Sequence, residues 1–168
     1  MRSSKLIDFA PAAERGLRAL LTGIALGFVG LFYLIAFTRY RFPLQLEWAE
    51  GGVLEMVRRV VSHQQVYVAP SKDSIPFMYT PLYYYLSAGL SRLTGLSFVP
   101  LRLICIAATT GCLVVIYRYV RRITGDRFVG LIACGLFAAL NGLSNAWFDR
   151  ARVDMLSLFF LLLAIDAA

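Results

Sequence analysis

The stretch Ala19-Leu20-Leu21-Thr22-Gly23-Ile24-Ala25-Leu26-Gly27-Phe28-Val29-Gly30-Leu31-Phe32-Tyr33-Leu34-Ile35-Ala36-Phe37-Thr38 holds no formal charge and decides the fold class. About twenty apolar residues of helix are what a ~30 Å hydrocarbon core requires. Leu103 to Tyr117 and Phe128 to Phe148 are likewise uncharged, and another apolar run begins near Val153. Helices on the surface of a soluble core keep a polar face over such lengths. With 59% hydrophobic and 16% charged residues, the chain reads as an all-α, polytopic transmembrane helical bundle.

Met1-Arg2-Ser3-Ser4-Lys5 ahead of an apolar run is how a signal peptide begins. The run is too long for its apolar core, however, and Thr38-Arg39-Tyr40 offers no small-residue cleavage pattern. The first span therefore reads as uncleaved. The formal charge of +7 does not point to nucleic acid, because no basic stripe or motif organises it. Arg2, Lys5, Arg15 and Arg18 precede the first span, while Arg118, Arg121, Arg122 and Arg127 bracket one short connection. Charge distributed in this way holds segments on the cytoplasmic side. Cys105, Cys112 and Cys134 lie in apolar stretches without metal-ligand spacing and read as packing residues.

The expected layout follows from these runs. Residues 1–16 form a cytoplasmic tail, and 17–168 form one membrane module with spans at about 17–38, 99–119, 127–147 and 153–168. Gly23-x-x-x-Gly27 offers a surface for close helix approach. An outer loop covers 39–98. Within it, 47–65 reads as an amphipathic helix along the membrane surface, with Val53, Met56, Val57 and Val60 on one face and Glu47, Gly51 and Arg58 on the other. Residues 66–80 are irregular, punctuated by Pro70, Ser71, Lys72, Asp73, Ser74 and Pro76. A short helix over 81–95 starts at a proline. If it crossed the membrane, the basic connection at 118–127 would lie outside, against the charge bias; a juxtamembrane or re-entrant helix keeps that connection cytoplasmic. The last apolar run reaches Ala168 without a polar stop, so the expectation is the N-terminal part of a longer polytopic protein, inactive without the remainder.

Two clusters carry candidate chemistry. Glu47 and Glu50, in Glu47-Trp48-Ala49-Glu50-Gly51, are one helical turn apart. Carboxylates held close drive one pKa upward, which suits a general base or a shared cation, and Gly51 and Gly52 would let a substrate approach the backbone. Acids in a first helical turn equally serve the helix dipole. The second cluster is Asp149, Arg150, Arg152 and Asp154, spaced for pairs between Arg150 and Asp154 and between Asp149 and Arg152 if helical. Arginine forks there suit a phosphate or pyrophosphate group; an interfacial ion-pair network is the other reading. Arg102 either joins this cluster or snorkels. Tyr79, Tyr83, Tyr84 and Tyr85 form either an interfacial belt or a wall for a sugar or isoprenoid. His63 has no partner ligand spaced with it.

Taken in order, these motifs resemble the start of a GT-C superfamily glycosyltransferase, in the branch of the protein O-mannosyltransferases and lipid A aminoarabinose transferases. Glu47–Gly51 matches the family's acidic motif at the head of a juxtamembrane helix in the first outer loop. Tyr79-Thr80-Pro81-Leu82-Tyr83-Tyr84 is similar to its Pro-Pro-Leu-Tyr motif, with Thr80 in place of the first proline. Arg102 in Pro100-Leu101-Arg102-Leu103, the turn Arg121–Gly125 and Arg150-Ala151-Arg152-Val153-Asp154 match further motifs. Glu47 stands where many relatives have Asp, which lengthens its reach.

The resemblance implies inverting transfer of a sugar from a polyprenyl-phosphate carrier to a lipid, glycan or protein acceptor. It implies a multi-pass protein of the bacterial inner membrane, among membrane lipids, its N-terminus cytoplasmic and its site facing the periplasm or exterior. Glu47 would be the base, Glu50 its partner or an acceptor-positioning group, and Asp154 a second acid. Arg102, Arg150 and Arg152 would take the lipid phosphate, with Tyr79 and Tyr83 lining the substrate. Some members bind a divalent metal, although no complete ligand set is visible here. The rival classes are a transporter or lipid-binding membrane protein and a non-catalytic assembly subunit. A transporter places its ionisable residues mid-membrane, whereas here they gather at one interface.

Overall fold

Six α-helices carry the chain in the computed structural model, which describes residues 3–71 and 75–168. The expected charge at Arg2 and the turn formers Lys72, Asp73 and Ser74 lie outside the described residues, as does the side chain of Lys5. The helices are α1 (Ser3–Arg39), α2 (Trp48–Val61), α3 (Leu82–Thr94), α4 (Phe98–Thr124), α5 (Arg127–Leu143) and α6 (Asp154–Ala167), with a 3₁₀ turn at Trp147–Asp149. The described residues include no strand, and the all-α expectation holds. Ala12–Arg39 and Phe98–Thr124 are long and apolar enough to cross a membrane, while Arg127–Leu143 is apolar but shorter. Leu20, Leu34 and Phe37 on α1 are all more than half exposed, a surface suited to lipid rather than water.

The element boundaries differ modestly from the sequence reading. α1 runs back through the segment expected as a tail, where the Arg18 Nε–Glu14 Oε1 pair (3.1 Å) supports one more turn. α2 stops at Val61 because the chain turns sharply there: His63 takes a left-handed φ of 56°, and the N–H of Ser62 returns to the carbonyl of Arg58. Gly125, at φ 70°, closes α4, and the Asp126 carboxylate then caps α5 by accepting the Phe128 N–H at 2.7 Å.

α1 and α5 run side by side in the same direction, and α4 and α6 run the other way. At one end Arg18 reaches Asp126 (3.4 Å) and Arg122 reaches Asp166 (3.2 Å). At the other end Arg39 binds Asp149. The close approach expected at Gly23 and Gly27 is not made there, since both look onto open space. It occurs about half a turn round the helix, where Ala25 meets Gly135 of α5. A Cβ on Gly135 would lie 2.5 Å from the Ala25 Cα, so only glycine admits this contact. Gly135→Ala should therefore force α1 from α5 and destabilise the protein by roughly 1–3 kcal/mol, as overpacking does. Gly27→Ala should leave the thermal midpoint in detergent unchanged or slightly raised. Equal effects at both positions would refute this packing.

α2 has the amphipathic order the sequence suggests: Val53, Met56 and Val57 are buried and Arg58 is exposed. Its apolar face is not free to lie on lipid, however. It packs on α3 and joins Tyr83, Tyr84, Leu101 and Phe148 in the main core, because the two amphipathic helices of the loop cover one another. Arg102 Nη1 donates to carbonyls of Arg39 (3.3 Å) and Phe42 (2.7 Å), so the chain leaves α1 and enters α4 at the same end of the bundle. α3 does not carry it to the opposite end. In a Gln64→Cys and a Thr124→Cys variant, an impermeant thiol reagent is expected to label from opposite sides of the membrane. The native thiols are all buried and free, which keeps background low. Same-side labelling would mean that 81–95 completes a span.

Candidate functional site

Three arginine–acid pairs, each bridging more than fifty residues of sequence, knit the non-basic end of the bundle together. They join the end of α1, the start of α2, the start of α4 and the segment between α5 and α6. Each uses the planar guanidinium against a carboxylate.

The deepest pair is Arg102–Glu50, with both side chains fully buried. Arg102 Nε donates to Glu50 Oε1 at 3.0 Å and Nη2 to Oε2 at 2.7 Å. The remaining N–H groups hold the connection after α1 through carbonyls of Arg39, Phe42 and Leu44. Phe98 packs its ring against the same guanidinium. The Glu50 carboxylate also accepts the N–H of Leu46 (2.6 Å) and of Ala151 (2.8 Å). Burial pushes its carboxyl up, but the hydrogen bonds from Arg102, Ala151 and Leu46 outweigh burial and hold it below its ordinary 4.5.

Arg39 makes the second pair. Its Nε lies 2.6 Å from Asp149 Oδ2 and its Nη2 on Oδ1, with a further bond to the carbonyl of Ala146 at 3.1 Å. The third pair lies nearer the surface. Arg152 Nη1 donates to both oxygens of Glu47 (2.8 and 3.0 Å), while Nε donates to Asp154 Oδ2 at 2.8 Å. Trp147 covers the Arg152 guanidinium at 4.2 Å from the ring centroid. Burial would lower the arginine's pKa, but Asp154 and Glu47 reverse the sign and raise it. Asp154 is exposed, and Arg150, half-buried, has a buried Nε with no partner among the described residues.

These positions separate the sequence-predicted residues into two groups. Glu47, Arg152 and Asp154 come together at the rim, and Arg150 makes no bond to any of them. Glu50, Arg102 and Tyr83 do not join them. Glu50 turns inward rather than sharing a pocket with Glu47, so the expected raised carboxyl is replaced by a lowered one. Arg102 has its donors occupied by Glu50 and by backbone carbonyls of Arg39, Phe42 and Leu44. Tyr83 is buried, its hydroxyl donating to the carbonyl of Leu101 at 2.8 Å. Tyr84 is also buried, whereas Tyr79 is exposed and ends an edge-to-face chain from Trp48 through Phe77. The open backbone expected at Gly51 and Gly52 is filled by the side chains of Gln45 and Phe77.

The expected helical pairs Arg150–Asp154 and Asp149–Arg152 do not form. The segment is a 3₁₀ turn followed by extended backbone at Arg150, and α6 starts only at Asp154, so helical spacing does not apply. Arg39 is the functional-end residue that sequence reasoning passed over. The signal for it was present: four acids at this end (Glu47, Glu50, Asp149 and Asp154) exceed the three arginines first grouped with them. Glu47 and Glu50 are both engaged by arginines in this arrangement. Among the described residues no group of three metal-ligating side chains converges.

A family model described as dolichyl-phosphate-mannose-protein mannosyltransferase matches residues 78–167, more than half of the chain. The chain belongs to that family. It is accordingly a membrane glycosyltransferase family member, as the resemblance implies. The matched region spans α3 to α6 and includes Arg102, Arg150, Arg152 and Asp154; Glu47 and Glu50 lie before it. No curated protein and no solved structure matches the chain.

Proposed function

We propose that the protein transfers a sugar from a polyprenyl-phosphate carrier to a hydroxyl acceptor, with inversion, at the rim formed by Glu47, Arg152 and Asp154. The observation that carries this reading is that cluster itself: a carboxylate and an arginine bonded to one another near the surface at one end of a bundle from a membrane glycosyltransferase family. The acceptor is a hydroxyl of a lipid, a glycan or a protein; the chemistry is the same.

In the resting arrangement both oxygens of Glu47 are occupied by Arg152. A donor phosphate competes for that guanidinium and, with Arg150 as second cation, draws it away. Glu47 is thereby released to accept the acceptor's hydroxyl proton. The acceptor oxygen bonds to the anomeric carbon as its bond to the phosphate oxygen breaks, and the departing lipid phosphate keeps the electron pair beside the arginines. Asp154 keeps Arg152 oriented between the two states. Tyr79 and the exposed Trp48 offer aromatic faces for the sugar. The basic end lies in the cytoplasm under the charge bias, so the site faces the periplasm or exterior.

The direct test supplies radiolabelled polyprenyl-phosphate mannose to membranes containing the full-length protein. Label should move to a non-carrier product. Free mannose alone, or no release from the carrier, would count against the reading.

A further inference from the structure

Two pockets that share Tyr117 lie toward the opposite, basic end. An apolar groove of about 320 Å³ runs between α1, α4 and α5, lined by Ala25, Val29, Leu113, Val114, Tyr117 and Leu131 among others. Tyr117 also lines the adjoining pocket of about 300 Å³, whose other walls are Arg118, Arg121 and Arg122. One aromatic ring thus joins an apolar slot to a trio of cations.

The cations differ in how far they are engaged. Arg122 donates to Asp166, at both the carboxylate (3.2 Å) and the carbonyl (2.9 Å), and stacks on Tyr119. Arg118 reaches the same carboxylate only at 4.0 Å and is largely exposed. Arg121 is exposed, and its guanidinium makes no ion pair or hydrogen bond among the described residues. Orientation charge alone accounts for arginines here, but not for their seat at the mouth of an apolar slot.

The slot's depth selects its occupant. The Tyr33 hydroxyl meets Thr110 Oγ1 at 2.8 Å, near the middle of α4, and both residues line the slot. From Thr110 to Tyr117 the helix rises about 10 Å. That fits within one leaflet of a bilayer, whose half-core is about 15 Å deep. A partner helix would need a groove along the whole span. An acyl chain needs only this half.

We propose that this region binds an anionic phospholipid from the leaflet at the basic end, with one acyl chain in the slot and the phosphate on Arg118 and Arg121. Basic pockets between membrane helices take such headgroups through charge and hydrogen bonding. This site is separate from the rim and from the sugar donor.

Native mass spectrometry of the purified full-length protein in neutral detergent, with added phosphatidylglycerol or phosphatidylcholine, tests the proposal. Phosphatidylglycerol should be retained and phosphatidylcholine stripped. The Arg118→Gln/Arg121→Gln variant should lower phosphatidylglycerol retention about tenfold or more. Val114→Trp, at an exposed groove residue, should lower it by filling the slot. Both variants change exposed side chains, and an unchanged thermal midpoint without lipid verifies folding. Equal retention of the two lipids, retention unaffected by the arginine changes, or a dimer without lipid would overturn the proposal. The dimer would mean that a second copy covers the groove.

Discussion

Arg102→Met is expected to leave little folded protein, rather than protein with a weakened ligand. The substitution strands the Glu50 carboxylate at a fully buried position, with only the N–H groups of Leu46 and Ala151 for partners. Removing one member of a buried ion pair costs about 3–5 kcal/mol, a large share of a typical stability of about 5–15 kcal/mol. Carbonyls of Phe42 and Leu44 lose their donors as well, which loosens the connection that positions Glu47. The check is the monodisperse yield and thermal midpoint in detergent.

The double variant Glu50→Met/Arg102→Met should recover part of the loss, since apolar replacement of a buried pair is often neutral. Recovery stays partial because the orphaned backbone groups each cost about 1–3 kcal/mol. Acid supplies an independent readout. Glu50 has a lower pKa folded than unfolded, so its contribution is complete above about 4.5 and falls away as pH drops through the folded value. The wild-type midpoint should decline on acidification below about pH 4.5, and that part of the decline should vanish in the double variant. A wild-type midpoint in Arg102→Met would show that its guanidinium is not structural, and would return Arg102 to the list of phosphate ligands.

The membrane class and the helix order were legible because they depend on one-dimensional patterns: long uncharged runs, a proline at the start of a helix, basic residues at one connection. The faces of α2 were legible for the same reason. The partners of the charges were not. Glu47 and Glu50 are neighbours on one helix, yet they bind arginines 105 and 52 residues away, and local spacing contains no trace of that choice. The segment at 146–153 misled in a specific way. It has enough charge at helical spacing to suggest pairs, but a 3₁₀ turn ends at Asp149 and Arg150 is extended, so no helical register runs from Asp149 to Asp154. Glycines were similarly ambiguous. Gly23 and Gly27 carry the familiar pattern and look onto open space, while Gly135, paired at that spacing only with Ala139, is where two helices meet.

Glu47→Gln is expected to abolish transfer while the protein still folds. Glutamine keeps the side chain's shape and one acceptor for Arg152, and Arg152 retains Asp154, so no charge is stranded as it would be at Glu50. Loss of a general base typically costs about 10²–10⁴ in rate. If Glu47 receives the acceptor proton, the deficit falls on kcat, while KM for the donor should stay level or fall, because glutamine competes less with the phosphate for Arg152. Arg152→Gln should show the converse, a raised donor KM, together with a smaller fall in kcat from weaker stabilisation of the departing phosphate. Asp154→Asn separates the two carboxylates: as an orienting group, it should affect donor KM more than kcat. Full activity in Glu47→Gln alongside an inactive Asp154→Asn would move the base to Asp154. Full activity in both would remove the rim cluster from the chemistry altogether, leaving its ion pairs as a purely structural clasp.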